Sequence, residues 1–503
     1  MSDWGSGYVT DVPYLPGYYP QQSPVHMVVA ARLAGVACDL PDDDDPVHYL
    51  ELGCGTGLGA LTLAAANPSW RITGIDFNPA HIATARAFSR QAGLRNATFI
   101  EADLATLADA READAVPEAD FVSTHGLWSW VPPVVRAGVV RLLRAKVRAG
   151  GLVHLSYNTL PGWQSALGMQ RLIRAAGLVR SRRSDRQALA GLELLRALHG
   201  AGAYHLAGVP FVDKLVKGMP DMPPAYLAHE FMNANWSPCF HADVVAALSE
   251  AKLEWVGSAN LLENFSTLVL TPAERKVLEG VEDGLDRELI KDLCLARALR
   301  HDIFVRGPNR LTGASLRESL QEITLALAVD APEFSYEIEM AKGSAQLSRD
   351  FYAPLVAALA KGPREVGALL ALQQTEANHP HDPAEVIGIL VGGGQALPVL
   401  RPGAPLSKEA KALNQMIAAA FGRVDHRRAK LALASTALGA GLPADGYDLF
   451  VEHRADLGQD GRSLNEWVGE SGADLEPEGK DRLRALLSRA LSRRSIFPAA
   501  GLV

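Results

Sequence analysis

Three glycines and one aspartate have the spacing that first indicates a chemical function. Gly53, Gly55 and Gly57 alternate directly after the apolar run that ends at Leu52, and an alanine-rich helical pattern follows them. Glycine tolerates backbone angles that other residues avoid and lets a ligand approach the main chain. Asp76 lies 19 residues beyond Gly57 (76 − 57), at the end of a second strand-like run. An acid at that distance binds ribose hydroxyls, so the spacing predicts a nucleoside pocket at the edge of a parallel sheet.

Glu51 indicates which of two classes of nucleotide ligand the glycine-rich loop binds. A dinucleotide site reads Gly-x-Gly-x-x-Gly and places a diphosphate at the start of the helix. This chain reads Glu51-x-Gly53-x-Gly55-x-Gly57. A carboxylate at that position repels a diphosphate but suits a ligand that carries an amine and a sulfonium. The stretch resembles motif I of the class I S-adenosylmethionine (SAM) methyltransferases, and this resemblance covers roughly the first third of the chain.

The resemblance implies SAM as the cofactor, with its contacts along the strand ends. Asp76 is expected to accept the ribose hydroxyls, and Phe77 is expected to cover one face of the adenine. Asp103 or the Leu104 backbone is expected at the adenine amino group, although a helix cap is the alternative role for Asp103. The predicted cofactor-binding residues are Glu51, Gly53, Cys54, Gly55, Gly57, Asp76, Phe77, Asp103, Leu104 and His125.

The segment that follows the fourth predicted strand is expected to face the transferred methyl group. There His125 is a candidate base or orienting group, or else a buried structural histidine. Trp128 and Trp130 form either core packing or an aromatic cage for an amine cation. The predicted substrate-binding residues are Trp128, Trp130, Tyr157 and Asn158. An Asn-Pro-Pro-Tyr motif is absent from the sequence, which argues against a nucleic-acid base as the methyl acceptor.

Further segments narrow the resemblance to a bacterial family of SAM methyltransferases with a methyltransferase regulatory domain, which includes rickettsial protein lysine methyltransferases. The matching segments are Asp11–Tyr14, Glu51–Gly57, His125–Pro132, Ser156–Trp163, Tyr226–Phe231, Ala251–Ala259, Glu263–Asn264 and His301–Gly307. The resemblance implies methyl transfer to protein lysine and makes Tyr14, Trp130 and His125 the candidate catalytic residues. The glycine loop departs from the family at 56–60, where a Gly-Gly-Asn type sequence is expected.

Alternating strands and helices must position these residues. The predicted strands are Val47–Leu52, Ile72–Asp76, Ala97–Glu101, Asp120–Thr124 and Leu152–Tyr157, with helices at Pro79–Gly93 and Val134–Ala149. This alternation predicts an α/β fold, a doubly wound Rossmann-like sheet that binds its ligand beyond the carboxyl ends of the strands. Leu253–Gly257 and Thr267–Leu270 are expected to complete it as the sixth and seventh strands. The alternative is an independent middle domain with its own small hairpin.

Six segments are predicted along the chain. They are an N-terminal aromatic lid segment and helix (1–46), a SAM-binding core (47–162), a helical insertion (163–237), the end of the core with the regulatory domain (238–310), a helical, winged-helix-like domain (311–400) and a C-terminal helical domain (401–503). The winged-helix prediction rests on short helices between residues 351 and 388 followed by an apolar hairpin at Ile389–Leu400. The N-terminal tyrosines are equally consistent with an arm over apolar surface and with a lid over the cofactor.

The composition of the chain argues against a nucleic-acid partner and against a metal site. The chain has 503 residues and a net charge of −8, which argues against a nucleic-acid partner. Its four cysteines lack metal or disulfide spacing, which favours the cytoplasm and predicts no metal site. We expect no membrane insertion. We expect a protein substrate and a homodimer that forms through the C-terminal region. The leading hypothesis is a protein-lysine methyltransferase, with a small-molecule methyltransferase and a SAM-gated binding protein as alternatives.

Overall fold

The computed structural model describes residues 5–14, 16–39, 47–282, 286–340, 342–372, 382–422, 430–458, 463–472 and 475–502. The loop predicted for 40–46 lies outside these ranges. Within them, every helix is too short or too polar to cross a lipid bilayer.

A seven-stranded mixed sheet forms the centre of the N-terminal part. Its strands are β1 (His48–Leu52), β2 (Arg71–Asp76), β3 (Ala97–Glu101), β4 (Ala119–Thr124), β5 (Val147–Asn158), β6 (Leu253–Ser258) and β7 (Leu299–Arg306). Their order is β3-β2-β1-β4-β5-β7-β6. Neighbouring strands run parallel except at β7, which is antiparallel to both β5 and β6. The strand order reverses between β1 and β4, which is where open α/β sheets bind ligands.

Helices cover both faces of this sheet. They are α1 (Pro24–Leu33), α2 (Leu58–Ala66), α3 (Pro79–Gln91), α4 (Pro133–Lys146), α5 (Leu167–Leu178), α6 (Ser184–Gly200), α7 (Pro210–Gly218), α8 (Pro224–Phe231), α9 (His241–Ser249), α10 (Ser266–Val269), α11 (Pro272–Glu279) and α12 (Arg287–Cys294). Successive residues of a strand point to opposite faces. Tyr49 therefore packs with α1–α3, whereas Leu50 packs with α4 and α9.

The seventh strand differs from the sequence prediction. Thr267–Leu270 was expected to be a strand, but Ser266–Val269 forms the short helix α10. The seventh strand is β7, which lies between β5 and β6. Its first half contains Arg300, His301 and Asp302, which a hydrophobicity pattern predicts to be exposed. All three are buried, and Arg300 and Asp302 belong to an ion-pair cluster. The predicted helix at Asp286–Leu299 correspondingly ends early, at Cys294.

Helices α5–α8 lie between β5 and β6 in the sequence and form a helical insertion with its own apolar core. The sheet continues on both sides of this insertion. The apolar core of α5–α8 includes Met169, Leu195 and Phe231 and also takes in Val9 and Val12 of the N-terminal segment. The insertion and the N-terminal segment therefore pack as one unit beside the carboxyl edge of β5.

The C-terminal part is mainly helical. Its elements are α13 (Gly313–Gln321), β8 (Thr324–Leu327), β9 (Glu337–Met340), β10 (Gly343–Gln346), α14 (Arg349–Leu359), β11 (Arg364–Glu365), α15 (Val366–Ala371), α16 (Pro383–Gly392), β12 (Ala396–Pro398), α17 (Lys408–Phe421), β13 (Leu431–Ser435), β14 (Ala440–Ala444), α18 (Gly446–Asp456), α19 (Leu464–Ser471) and α20 (Pro477–Arg493).

The hairpin expected at Ile389–Leu400 is not formed. Helix α16 continues through Gly392, and β12 pairs antiparallel with the distant strand β8 in a three-stranded sheet. The apolar residues of α16 are buried, and this tertiary packing outweighs the turn preference of Gly392–Gly394. The winged-helix assignment loses the hairpin on which it rested and stays a prediction.

Candidate active site

A cavity of about 350 Å³ opens at the carboxyl ends of β1, β2 and β4. Most of the residues predicted from the sequence to form the site line it. These residues are Tyr14, Glu51, Gly53, Cys54, Gly55, Asp76, Phe77, Asp103, Leu104, His125 and Trp130. The N-terminal segment contributes Gly5, Ser6, Tyr8, Tyr14, Pro16, Gly17, Tyr19 and Gln22 to the same wall. The fold thus brings together residues that lie more than 100 positions apart.

The glycine loop after β1 is held in a conformation that requires glycine. Gly53, Gly55 and Gly57 all have positive φ angles, of 71°, 54° and 78°, which side chains strongly disfavour. A Cβ atom at Gly55 would meet no atom within 4 Å, whereas one at Gly57 would lie 2.7 Å from Phe99. Gly55 therefore faces open space in the cavity, and Gly57 is required for packing. Gly57 lies outside the cavity lining, and its contact with the cofactor stays a prediction.

Asp76 links the glycine loop to the start of α3. Its Oδ2 accepts a hydrogen bond from the Gly55 amide at 2.9 Å, and its Oδ1 accepts one from the Asn78 amide at 2.8 Å. His81 Nδ1 lies 3.3 Å from Oδ1. A carboxylate has about four lone-pair sites, so Asp76 keeps acceptor capacity on the side that lines the cavity. This arrangement suits a ribose diol.

Glu51 is buried beneath the loop and is incompletely hydrogen-bonded. Gln22 donates a hydrogen bond from Nε2 to Glu51 Oε1 at 3.3 Å, while Oε2 has no hydrogen-bond partner within the described part of the chain. Burial raises the pKa of Glu51 to about 7, although hydrogen bonds from Gln22 and from the Ala60 backbone oppose this. A buried acceptor without a partner is costly, and an ammonium group of a ligand in the cavity would satisfy it.

The expected adenine side consists of Phe77, Asp103 and Leu104. The ring of Phe77 meets that of Tyr8 edge-on, with 5.8 Å between centroids. Asp103 Oδ1 accepts a hydrogen bond from the Ala105 amide at 2.8 Å, so the capping role considered for this residue is present. Asp103 also lines the cavity, which leaves its second oxygen available to a ligand.

His125 lies against the aromatic wall on the other side of the cavity. Its ring stacks on Tyr19, with 3.8 Å between centroids, and its Nδ1 lies 2.9 Å from Ser156 Oγ. Burial, followed by the positive charges of His301 and Lys430, lowers the pKa of His125 well below 6.5. His125 is therefore neutral at physiological pH and adds no positive charge to this wall.

Tyr14 and Trp130 complete the wall next to His125. A Cβ atom placed on Gly126 would lie 3.8 Å from the Tyr14 hydroxyl, so this hydroxyl reaches the turn after β4. Burial and the neighbouring Tyr19 raise the pKa of Tyr14 well above 10, which keeps the phenol protonated. Trp130 Nε1 is buried without an acceptor in the described ranges. Both side chains belong to the cavity lining.

Three further predicted site residues lie outside the cavity lining. Trp128 and Trp130 share a 3₁₀ turn that points them to different sides, and Trp128 packs under Arg136 in the core. Tyr157 points to the opposite face of β5 from Ser156, as strand alternation requires, and donates a hydrogen bond to Asp302 at 2.6 Å. The substrate-binding roles predicted for Trp128 and Tyr157 are thus corrected. Asn158 is buried behind the wall.

Several residues that shape the site were not among the predicted site residues. Tyr8 and Tyr19 belong to the N-terminal tyrosines, for which a lid over the cofactor was one of two expected roles, whereas Gln22 was not singled out. Glu230 belongs to α8, and its charge contributes to the raised pKa values of Tyr14, Tyr19 and Tyr226. It lies inside the segment Tyr226–Phe231 that carries the family resemblance, but its distance along the chain from the strand ends concealed its position. No cluster of His, Cys, Asp or Glu side chains that could hold a metal ion occurs in the described ranges.

Comparisons with known proteins agree with this geometry. A family described as "Methyltransferase domain" matches residues 50–151, and one described as "Predicted methyltransferase regulatory domain" matches residues 223–306. Uncharacterized protein sll1526 of Synechocystis is 30% identical over 397 residues, which are 79% of this chain and 77% of that protein. Uncharacterized protein RP789 of Rickettsia prowazekii is 26% identical over 310 residues, which are 59% of this chain and 53% of that protein.

A solved structure shares the fold over almost the full length. PKMT2 from Rickettsia typhi, in complex with AdoHcy, aligns with a TM-score of 0.67 over 96% of this chain and 99% of that chain, at 14% identity. AdoHcy is the product that SAM leaves after methyl transfer, and the cavity described above offers groups that fit its amine, ribose and adenine. The chain belongs to the class I methyltransferases that carry a methyltransferase regulatory domain, and SAM is its cofactor.

Proposed function

We propose that this methyltransferase acts on an amine nitrogen, and that its acceptor is a lysine side chain of a protein. The observation that carries the proposal is the uncharged aromatic wall formed by Tyr14, Tyr19, His125 and Trp130 beside the cofactor cavity. The resemblance to rickettsial protein lysine methyltransferases, and the fold shared with PKMT2 of Rickettsia typhi, give further support.

Residues at the strand ends hold the cofactor in this proposal. Glu51 binds the methionine amine, Asp76 accepts the ribose hydroxyls, and Phe77 with Asp103 and Leu104 surrounds the adenine. SAM, when bound, supplies a methyl carbon that is activated by its sulfonium. The neutral state of His125 matters here, because an imidazolium in the same wall would repel that sulfonium.

The aromatic wall favours the uncharged form of the acceptor amine and positions it. A lysine amine has a pKa of about 10.4 in water, so most of it is protonated and lacks a free lone pair. An apolar wall disfavours the charged ammonium form through desolvation. Tyr14 stays a phenol and Trp130 keeps a free N–H, so both can orient the acceptor without being ionised. Positioning of this kind supplies a large part of the acceleration in such displacements.

Labelled cofactor tests the proposal. Purified protein is incubated with methyl-labelled SAM and cell extract, and labelled protein is hydrolysed in acid. We expect label in methyl-lysine with the wild-type protein and none with Asp76→Ala, which removes the proposed ribose contact. Label in a small metabolite instead of protein would favour a small-molecule methyltransferase, and base-labile protein label would indicate a carboxyl acceptor. Either result would contradict the lysine assignment.

We further propose a class of binding partner and a cellular location for this protein. The net charge of −8 favours a protein over a nucleic acid as the binding partner of the C-terminal part. We place the activity in the cytoplasm, in keeping with four unpaired cysteines.

A further inference from the structure

A row of buried polar side chains crosses the central sheet beneath the cavity. Glu51 of β1 lies opposite Ser123 of β4, and Ser123 lies opposite His154 of β5. His301 of β7 lies opposite Ser156, two residues beyond His154, so its side chain points to the same face of the sheet. Each of these residues is at most 6% exposed. Polar groups buried this deeply cost free energy unless they are hydrogen-bonded.

Gln22 connects this row to the cofactor cavity. It belongs to the 3₁₀ turn that precedes α1, and both Gln22 and Glu51 line the cavity. The Gln22 Nε2 atom lies 3.3 Å from Glu51 Oε1 and 3.1 Å from Ser123 Oγ. Ser123 Oγ lies 3.0 Å from His154 Nδ1, and His154 Nε2 lies 3.0 Å from His301 Nδ1. A continuous hydrogen-bonded network therefore runs from His301 through His154, Ser123 and Gln22 to Glu51.

The amide of Gln22 sets the direction of every hydrogen bond in this network. Its NH₂ group has two hydrogens and can only donate, so it gives one to Glu51 and one to Ser123. The reverse orientation would place the amide oxygen against the carboxylate. Ser123 then donates its single hydrogen to His154 Nδ1, and His154 donates from Nε2 to His301 Nδ1. Both imidazoles must carry their proton on Nε2 and be neutral, because a proton on Nδ1 would remove an acceptor.

Burial keeps both histidines in the neutral form that the network requires. Burial, followed by the charges of neighbouring histidines, lowers the pKa of His154 well below 6.5. Burial also lowers the pKa of His301 to about 4, although the charge of Asp302 opposes this. The His301 ring stacks on His125 of the aromatic wall, with 5.3 Å between centroids. Because the amide of Gln22 neither gains nor loses a proton near neutral pH, the network orients groups and does not conduct protons.

The network restrains the carboxylate of Glu51. Gln22 holds Oε1, and Oε2 has no hydrogen-bond partner within the described ranges. Ser123 in turn holds Gln22, whose amide could otherwise rotate away from the carboxylate. A carboxylate that is already restrained loses less freedom when it pairs with an ammonium group.

We propose that Gln22 is a positioning residue, held by Ser123, His154 and His301, that preorganises Glu51 for the methionine amine of SAM. The proposal rests on the contact between Glu51 and that amine proposed above. It adds a requirement for residues that lie behind the cavity, since Ser123 and His154 are absent from the cavity lining.

The tautomers of the two histidines test the network in the absence of any ligand. Protein that carries ¹⁵N-labelled histidine is studied at about pH 8 by two-bond ¹H–¹⁵N NMR, which distinguishes a proton on Nδ1 from one on Nε2. His154→Gln and His301→Gln identify the two signals. We expect both rings to be neutral with the proton on Nε2. A proton on Nδ1 of either ring would overturn the assigned direction and with it the proposed role of Gln22.

Calorimetry at about pH 8 tests the effect of Gln22 on the affinity for SAM. Gln22→Met keeps the length of the side chain and removes both hydrogen bonds, and we expect the affinity to fall by about tenfold. The matched control is Gln21→Met in the same turn, which removes a 3.1 Å hydrogen bond to Asn260 and should bind SAM like the wild type. In a Glu51→Gln background, Gln22→Met should have little further effect, because the two residues act as one unit.

Ser123→Ala tests the part of the network that no ligand can reach. It leaves the contact between Gln22 and Glu51 but removes the second anchor of the amide, so we expect a smaller loss of SAM affinity in the same direction. Ser89→Ala, at a buried serine of α3, should leave the affinity unchanged. If Ser123→Ala lowers the affinity as much in the Gln22→Met protein as in the wild type, Ser123 does not act through Gln22 and the proposal fails.

The pH dependence of SAM affinity separates positioning from a general loss of structure. The hydrogen bond from Gln22 favours the ionised form of Glu51, so Gln22→Met should move the rise of affinity to higher pH by about one unit. The charge of Asp76 opposes ionisation of Glu51 and is present in both proteins. Tyr49 and Cys54, which also neighbour Glu51, stay protonated because burial raises their pKa values. An equal loss of affinity at every pH from about 6 to 9 would contradict the positioning role.

These measurements distinguish failure of the network from failure of the functions proposed above. If Glu51→Gln weakens SAM binding while Gln22→Met and Ser123→Ala bind like the wild type, the role of Gln22 is wrong and the amine contact of Glu51 stands. If Glu51→Gln binds SAM like the wild type, the amine contact is wrong and the positioning role fails with it. Neither result depends on the methyl acceptor, because none of these measurements includes one.

Discussion

Asp76 has an observed role in the protein and a proposed role towards the ligand. It anchors Gly55 and Asn78 through their amides and presents its remaining lone pairs to the cavity. Asp76→Ala should therefore remove both a ligand contact and the anchor of the glycine loop. Hydrogen bonds to a charged group contribute about 1.5–3 kcal/mol each, so we expect SAM affinity to fall by at least about tenfold. Calorimetry measures the affinity, and circular dichroism checks that the fold persists; an unchanged affinity would contradict the pocket assignment.

The Glu51 carboxyl should make the affinity of the protein for SAM depend on pH. Its pKa is raised to about 7 by burial, and only the ionised form can pair with the ligand's ammonium. The ionised fraction rises about tenfold between pH 6 and pH 8 for a group with that pKa, so SAM affinity should increase with pH over this range. Glu51→Gln keeps an acceptor for Gln22 but has no charge to titrate.

The measurement for Glu51 is the ratio of wild-type to Glu51→Gln affinity at each pH, because the ligand's own titration is common to both proteins. We expect this ratio to grow by up to about tenfold from pH 6 to pH 8. A ratio that does not vary with pH would mean that Glu51 orients the loop without pairing with the amine.

At the residue scale, the sequence predicted the cofactor side better than the acceptor side. Gly53, Gly55 and Asp76 could be predicted because they occupy fixed positions on one strand–turn–helix unit. Trp130 and Trp128 could not be separated, because only the 3₁₀ turn decides which ring faces the cavity. Glu230 could not be placed, because its position depends on how the insertion packs against the N-terminal segment.

Strand β7 shows at the element scale why hydrophobicity alone failed. Arg300, at the start of the strand, has no exposed side-chain surface and binds Asp292, Asp302 and Glu288 at 2.9–3.1 Å. Although burial alone would raise it, the Arg300 charge lowers the pKa of Asp302. A hydrophobicity pattern predicts that Arg and Asp are exposed. The ion-pair cluster can therefore be recognised only when α12, β5 and β7 are placed together. The first six strands, which bury ordinary apolar residues, were predicted within a few residues, apart from the start of β5.

Loss of Arg300 should destabilise this part of the fold strongly. Arg300→Met leaves the buried Asp302 without its ion-pair partner, whereas Asp292 keeps Arg297 and Glu288 keeps Lys291. Removing one partner of a buried ion pair costs about 3–5 kcal/mol. The matched control is Arg180→Met, whose ion pair with Glu193 at 4.0 Å is half exposed and contributes at most about 1 kcal/mol. Urea unfolding followed by fluorescence should show a large drop in midpoint for Arg300→Met alone. Similar midpoints for both variants would mean that the cluster contributes little to stability.

At the scale of the whole molecule, the C-terminal part covers the cofactor-binding unit. Helix α2 follows the glycine loop, and all nine of its residues are buried, as expected for a helix that is apolar on every side. Its outer face packs against β13, β14 and α17. Ser407 donates a hydrogen bond to the Ala65 carbonyl, and Asn67 donates one to the Gly439 carbonyl, each at 2.9 Å. The C-terminal part thus completes the hydrophobic environment of the cofactor helix.

The C-terminal hairpin, formed by β13 and β14, also holds the N-terminal segment over the cavity. The Tyr18 amide donates a hydrogen bond to the Lys430 carbonyl at 2.7 Å, and the Gly441 amide donates one to the Tyr18 hydroxyl at 2.8 Å. The next residue, Tyr19, lines the cavity and stacks on His125. Gly441 must be glycine because a Cβ atom there would lie 2.5 Å from the Ala432 Cβ and 2.9 Å from both Thr62 and the Tyr18 ring. Tyr18 therefore connects the C-terminal hairpin to the aromatic wall and is itself absent from the cavity lining.

Tyr18→Phe should consequently loosen the segment over the cavity while leaving the cavity residues in place. The change leaves the buried Gly441 amide without an acceptor, at a cost of about 1–3 kcal/mol, and Gly441→Ala should act in the same direction by displacing the ring. We expect faster hydrogen exchange in residues 5–22 and faster SAM dissociation in both variants. Tyr352→Phe, at a buried tyrosine of α14 remote from this contact, should change neither quantity. If exchange of residues 5–22 stays at the wild-type rate in both variants, the hairpin does not hold the segment, and the N-terminal tyrosines are kept over the cavity by the helical insertion alone.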